Sequence, residues 1–184
     1  MTEYPHPTIG TVAQASRLLL QHTAKKIGFV PNLYAELATS PIVLEAYQTL
    51  STLFDKTAFT LVERQLLLLS ISRYRNCCYC LATHGTLAKM QKIPKQVISA
   101  VYYSEPLLDP KLEALRTFAR AMLETEGWVQ HDALQAFYKA GYQKQHVLGI
   151  SFKTISNYVS QINDTPIDAE FLSGIPGSSN SDAE

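Results

Sequence analysis

The chain has 184 residues, of which 46% are hydrophobic and 17% are charged, an ordinary composition for one globular domain with a substantial core. Lysine plus arginine balances aspartate plus glutamate at 16 each, so no basic field is present to attract nucleic acid or an anionic membrane surface. No apolar run approaches the length of a membrane span. We therefore expect neither nucleic-acid nor membrane partners.

Helical periodicity and capping signals run through most of the chain, and no alternating segment with turn signals indicates a β-hairpin. Thr11 is a predicted N-cap of the first helix and Gly28 its predicted C-cap. Thr60 and Glu63 form a predicted capping box, and the leucine-rich helix that follows should be buried on most of its sides. The predicted helices cover approximately residues 12–26, 33–38, 41–55, 61–74, 77–91, 95–103, 111–124, 131–140 and 143–163.

The last of these helices carries an apolar stripe that we expect to face the core, formed by Val147, Ile150, Ile155 and Tyr158. Residues 173–184, SGIPGSSNSDAE, are small and polar, which predicts a disordered tail. The sequence thus predicts a single all-α domain of about eight helices over residues 1–172.

The most informative stretch is NCCYCLATHGTLAKM at 76–90, which contains all three cysteines. Cys77 and Cys80 form a C-x-x-C pair in the first turn of a predicted helix, where unpaired N–H groups and the helix dipole favour a thiolate. His84 follows Cys80 by four residues and so lies on the same helical face. A base beside one thiol and a second thiol three residues away are the minimum equipment for reversible disulfide chemistry.

Two other interpretations of the cysteines stay open. A C-x-x-C can be half of a zinc site, although the chain offers no second cysteine pair to complete four ligands. The cysteines can also be inert core residues, and we expect Cys78 to be buried packing. The first ten residues show no secretory signal, so reactive thiols in a reducing, cytoplasmic compartment are favoured.

Three segments, GFVPNLYAELATSPIVLEAYQTL, ERQLLLLSISRYRNCCYCLATH and DPKLEALRTFARAMLETEGWVQHDALQAFYKAGY, resemble the carboxymuconolactone decarboxylase family. Within it, they resemble the alkylhydroperoxidase D-like, peroxidase-related branch over about residues 28–168. The resemblance implies an all-helical fold built around a helical hairpin and assembled as a homo-oligomer, either trimer or hexamer. It also implies peroxide reduction or disulfide exchange at the cysteine pair, which the founding decarboxylase branch lacks.

The resemblance places the family's cysteines on Cys77 and Cys80 and its histidine on His84. Tyr79, between the cysteines, either donates a hydrogen bond to the leaving oxygen or packs against a neighbouring subunit. The family's proton-relay glutamate falls on Gln65, an amide that cannot accept a proton and that we expect near His84 or a backbone group. Glu63 is the nearest carboxylate, and it either supplies the relay or only caps its helix.

The hypothesis for function is a thiol-dependent hydroperoxidase or disulfide oxidoreductase in antioxidant defence, without a cofactor. His84 takes a proton from Cys80, whose thiolate attacks a hydroperoxide and becomes a sulfenic acid, and Cys77 then closes the disulfide. An external dithiol, thioredoxin-like or lipoyl-type, resets the pair. The reverse order, with Cys77 attacking, remains open, as does a non-enzymatic alternative in which the Cys77–Cys80 disulfide controls assembly or partner binding.

Overall fold

The computed structural model describes residues 7–160 and 165–174 and contains no β-strand within them. An all-α fold is therefore confirmed. A short 3₁₀-helix, Ala169–Gly174, follows the last α-helix. The described residues form nine α-helices: α1 (Gln14–Ile27), α2 (Asn32–Leu37), α3 (Pro41–Phe54), α4 (Leu61–Tyr74), α5 (Cys78–Met90), α6 (Lys95–Tyr102), α7 (Pro110–Glu124), α8 (His131–Lys139) and α9 (Lys144–Ser160).

Two of the three predicted capping signals form as expected. Gly28 ends α1 in the left-handed conformation, with a φ of 93° that costs glycine little. Thr60 and Glu63 form the predicted capping box at the start of α4. The N-cap of α1, however, is Ala13 and not Thr11. The Thr11 hydroxyl instead donates to the carbonyl of Thr8 at 3.1 Å, in a turn that precedes the helix.

Helix α4 lies at the centre of the larger of two apolar clusters. Its leucine run places apolar side chains around the whole helix, and Leu66, Leu67, Leu69 and Ile71 are fully buried. The partners of α4 in this cluster come from α6, α7 and α8 and from the first half of α9. Burying one such side chain stabilises the fold by roughly 1.5–3 kcal/mol, so this helix is the stable base on which the α4–α5 hairpin rests.

Helix α5 lies between the two clusters. Tyr79 and Ala82, near its start, pack in the second cluster with residues of α1, α2 and α3, whereas Ala88, near its end, packs in the first. The C-terminal segment also contributes to the second cluster through Phe171, whose ring meets that of Tyr79 edge-on. The beginning of α5 is therefore held on several sides by elements distant in sequence.

The 3₁₀-helix docks along α5 and was not predicted. Thr86 donates to the carbonyl of Phe171 at 2.9 Å, Tyr102 donates to that of Gly174 at 2.8 Å, and Lys89 donates to that of Ser173. This helix crosses the boundary predicted at residue 172. The rest of the predicted tail, 175–184, lies outside the described residues.

The expected apolar stripe of α9 is wrong in part, because Ile155 and Tyr158 are 62% and 56% exposed. Small residues let α9 approach its neighbours closely: a Cβ on Gly149 would lie 2.7 Å from the Phe59 ring. The buried side of α9 is instead largely polar and consists of Gly149, Ile150, Lys153, Ser156, Asn157 and Ser160. Among the described residues, no helix is long and apolar enough to cross a membrane.

A candidate redox site at the turn between α4 and α5

The turn from α4 into α5 ends one helix and begins the next with no residue between the two motifs. Asn76 adopts a positive φ of 53°, which asparagine tolerates better than most residues. Its N–H donates to Arg73 O at 3.2 Å, and the next N–H, of Cys77, donates to Ser72 O at 3.0 Å. This pair of bonds is a Schellman motif. Cys77 thereby ends the α4 motif and is at once the N-cap of α5, so the first thiol is fixed by both helices.

The two cysteines of the motif lie together, with their sulfur atoms at disulfide distance and their Cα atoms 5.3 Å apart. Cys77 is partly exposed, whereas Cys80 is 4% exposed. The Cys80 N–H points at Cys77 Sγ, 3.2 Å away. The pair is therefore asymmetric: the first cysteine is partly exposed, and the second lies within the fold.

Cys78, between them, is a free and exposed cysteine. The expectation that it would be buried packing is therefore wrong. The first turn of α5 points Tyr79 and Cys80 into the core, so the residue that precedes them faces solvent.

His84 lies one turn after Cys80 and is half-buried, with its Nδ1 atom enclosed and without a hydrogen-bond partner among the described residues. Burial, and then the positive charge of Lys153, lower the pKa of His84 to about 3. The imidazole is accordingly neutral at physiological pH while the cysteines are paired, and it can accept a hydrogen bond or a proton.

The hydroxyl of Tyr79 is held within its own chain. Its hydroxyl donates to Asp168 Oδ2 at 2.8 Å, and the other oxygen of Asp168 accepts the N–H of Asn32 at 2.9 Å. Burial, and then Asp168, raise the pKa of Tyr79. These bonds tie the start of α5 to α2 and to the C-terminal segment.

Glu63 lies in the first turn of α4, about 20 Å along the helix axis from the cysteine turn. Its carboxylate accepts hydrogen bonds from the Thr60 N–H at 2.8 Å and from the Tyr142 OH at 3.0 Å. It also forms an ion pair with Lys111 Nζ at 3.1 Å. Burial opposes ionisation of this carboxyl, but these bonds outweigh it and lower the pKa of Glu63. The contacts support the capping alternative.

Gln65 is buried and donates from Nε2 to Gln91 Oε1 at 2.9 Å, at the far end of α5. The expected hydrogen bond near His84 or to a backbone group is therefore not the one that forms. Its own Oε1 is enclosed and unpaired among the described residues. Gln65 thus links the two helices of the hairpin at the end opposite the cysteines.

The sequence reasoning missed Lys153, whose charge acts on His84 from α9. Lys153, Ser156 and Asn157 recur at helical spacing and are all buried, and Ser156 Oγ and Asn157 Oδ1 have no partner among the described residues. The helical spacing of these polar residues could have indicated a shared face, but the apolar residues Ile155 and Tyr158 between and beside them favoured a different face of α9 as the buried one.

Among the described residues, no group of three or more His, Cys, Asp or Glu side chains could hold a metal ion. Two surface grooves of about 610 and 630 Å³ lie against α4, α6 and α7, and neither is lined by the cysteines or His84. The arrangement that offers chemistry is the cysteine pair with its neutral imidazole.

No family model and no curated protein matches the chain. Two solved structures resemble it over nearly their whole length. One, described as an alkylhydroperoxidase AhpD core and an uncharacterized peroxidase-related protein from Ralstonia eutropha, is 22% identical with a TM-score of 0.76, covering 92% of this chain and 93% of that one. Another, an uncharacterized peroxidase-related protein from a Silicibacter species, is 18% identical with a TM-score of 0.78, covering 94% and 97%. The chain has the alkylhydroperoxidase D-like helical fold.

Proposed function

We propose that this protein is a thiol-dependent hydroperoxidase whose redox centre is the Cys77–Cys80 pair with His84. The observation that carries the proposal is the asymmetric pair at the start of α5. Its two sulfur atoms lie at disulfide distance, the first cysteine is partly exposed and the second is buried, and a neutral imidazole lies one turn away. The peroxidase-related descriptions of the two similar structures agree with it.

In the oxidative half of the cycle, the reduced Cys80 gives its proton to His84, directly or through water. The thiolate attacks the outer oxygen of the hydroperoxide, so that an S–O bond forms, the O–O bond breaks and the alkoxide takes up a proton and leaves as an alcohol. Cys77 then attacks the sulfenic sulfur of Cys80, and water leaves as the disulfide closes. The enclosed position of Cys80 favours this order, because the sulfenic acid meets Cys77 before it meets solvent.

In the reductive half, an external dithiol, thioredoxin-like or lipoyl-type, attacks the sulfur of the more exposed cysteine, Cys77. The S–S bond breaks and Cys80 leaves as a thiolate, already beside His84. The second thiol of the reductant resolves the mixed disulfide and releases Cys77, whose thiolate is stabilised by the N–H groups at the start of α5. The cycle needs no cofactor.

Tyr79 and Glu63 have structural roles in this proposal. Tyr79 fixes the start of α5 through Asp168, and Glu63 caps α4 and binds Lys111. We expect the protein to act in antioxidant defence in the cytoplasm, because the redox pair must be reduced by an external dithiol in each cycle.

We also propose that the protein is a homo-oligomer, a trimer or hexamer. Large apolar side chains stand exposed on this chain, among them Leu108, Trp128, Leu148 and Ile155. Light scattering on the purified protein gives the assembly mass, and a monomeric mass at micromolar concentration would reject this part of the proposal.

Steady-state consumption of cumene hydroperoxide, with and without added dithiol, tests the activity. Turnover should require the dithiol and be abolished in Cys80→Ser, whereas Cys78→Ser is the matched control because its thiol is free and exposed. If no peroxide is consumed, yet the disulfide forms with an oxidised partner protein and changes the assembly mass, the non-enzymatic redox-responsive alternative replaces the proposal.

A further inference from the structure

The redox pair lies in a part of the chain that has no acidic residue. Although the chain as a whole is neutral, the sequence between Glu63 and Glu105 contains no aspartate or glutamate. It does contain six basic residues, Arg64, Arg73, Arg75, Lys89, Lys92 and Lys95. Helix α9, whose Tyr158 meets the end of α4, also lacks acidic residues. The sequence around the cysteines therefore favours the approach of an anionic group.

Arg75 is the charged residue closest to Cys77 in the sequence, and its side chain is held in place. It is the C-cap of α4, and its guanidinium lies over the Tyr158 ring, with Cζ 4.0 Å from the ring centre. Since Arg75 precedes Cys77 by two residues, their Cα atoms are at most about 7 Å apart. A guanidinium over an aromatic ring keeps the N–H donors at its edge, where a carboxylate binds them in pairs. Arg75 is partly exposed, so a ligand can approach it.

The carboxylates near this turn are bound to other residues. Asp168 accepts its hydrogen bonds from Tyr79 and Asn32. Glu124, which lines a surface groove with Tyr74, is paired with Arg120 at 2.7 Å. Among the described residues, Arg75 forms no hydrogen bond or ion pair, and its Nε is enclosed without a partner. A fixed cation beside the more exposed cysteine is thus available to a ligand.

We propose that Arg75 is a specificity-determining residue of the reductive half of the cycle: it binds a carboxylate that the dithiol reductant carries near its thiols. The inference rests on the proposed function and names the chemical class of its reductant. In the exchange the dithiol attacks Cys77 and then closes its own disulfide, giving up two electrons and two thiol protons, while the protein gains two thiols. The carboxylate is unchanged, and its ion pair with Arg75 holds the dithiol beside Cys77.

The test measures reduction of the oxidised protein without any peroxide. Dihydrolipoate and dihydrolipoamide share one dithiol and differ only in a carboxylate against a neutral amide, and a reduced thioredoxin tests a carboxylate on a protein surface. Samples are trapped with excess N-ethylmaleimide and weighed by mass spectrometry, because the reduced protein takes three labels and the oxidised protein only the one on Cys78. Arg75→Gln removes the charge and Arg75→Lys retains it. Lys144→Gln, exposed at the other end of α9, is the matched control.

We expect the parent protein to react about threefold to fivefold faster with dihydrolipoate than with dihydrolipoamide, as a partly exposed ion pair allows. Arg75→Gln should abolish this preference, Arg75→Lys should keep part of it, and Lys144→Gln should leave it unchanged. Salt at about 1 M should abolish the preference in the parent.

The thioredoxin arm identifies the source of the carboxylate. If Arg75→Gln also slows reduction by thioredoxin, a protein surface can supply the carboxylate, and if it slows only dihydrolipoate, the group belongs to a small dithiol; either result supports the proposal. Equal rates with the two small dithiols in the parent, or a preference that persists in folded Arg75→Gln, would overturn it. Failure of the proposed function would show separately, as absent peroxide turnover with the dithiol preference intact.

Discussion

Asp168 should be a large source of stability that the local sequence does not reveal. Its carboxylate is buried and accepts two hydrogen bonds, from Tyr79 OH at 2.8 Å and from the Asn32 N–H at 2.9 Å. Asp168→Ala removes the acceptor of both donors and detaches the C-terminal segment from the start of α5 and from α2.

The magnitude follows from the two bonds. A hydrogen bond to a charged group contributes roughly 1.5–3 kcal/mol, and the Asn32 bond is only partly buried, so we expect Asp168→Ala to cost about 3–5 kcal/mol. Tyr79→Phe removes one bond and should cost about 1.5–3 kcal/mol. For a chain of this size these costs correspond to a fall of roughly 6–20 °C and 3–12 °C in the unfolding temperature.

Thermal unfolding of the two variants and of the double variant measures these costs and the coupling between the residues. Glu170→Ala, two residues away and exposed, is the matched control. If Asp168→Ala unfolds within about 0.5 kcal/mol of Glu170→Ala, the Asp168 carboxylate does not anchor the C-terminal segment. Peroxide turnover of the folded Tyr79→Phe protein should stay within about threefold of the parent, because its hydroxyl does not reach the substrate.

Three further predictions concern single positions. Glu63→Gln should lower stability by about 1.5–3 kcal/mol while peroxide turnover of the folded protein persists; lost turnover with unchanged stability would instead restore the relay. The pKa of His84 is lowered to about 3 in the folded protein, so between about pH 6.5 and pH 3 only the unfolded chain binds this proton. The free energy of unfolding should therefore decrease as the pH is lowered through this range, by up to about 1.4 kcal/mol per pH unit. His84→Asn should remove that slope in unfolding scans at successive pH values, and an unaltered slope would contradict the assignment. Gly85→Ala should cost about 1–3 kcal/mol, because its Cβ would lie 2.5 Å from Gly174 O; unfolding as stable as that of the parent would show that the C-terminal segment is not tightly docked.

The parts of the fold that could be predicted are those set by local signals. The capping box of α4, the buried leucine run and the cysteine pair at the start of α5 each depend on residues a few positions apart. Periodicity and capping rules describe such neighbours directly.

The parts that could not be predicted depend on partners far along the chain. Tyr79 and Asp168 are 89 residues apart, and nothing in the sequence marks them as a pair. The C-terminal 3₁₀-helix forms because α5 offers Thr86 and Lys89 as donors, not because of its own propensity. Lys153 is buried against the rule that charged side chains face water, and its burial depends on the packing of α9 and not on neighbouring residues in the sequence.

In the proposed mechanism Cys80 is the sulfur that attacks the peroxide. In reduced Cys77→Ser the resolving thiol is absent, so one equivalent of cumene hydroperoxide should leave a sulfenic acid on Cys80, seen by intact mass spectrometry as one added oxygen that a sulfenic-acid probe captures. Cys80→Ser should remain unmodified under the same conditions. Oxygen added to Cys77 in Cys80→Ser, with none on Cys80 in Cys77→Ser, would contradict the claim and reverse the roles of the two cysteines.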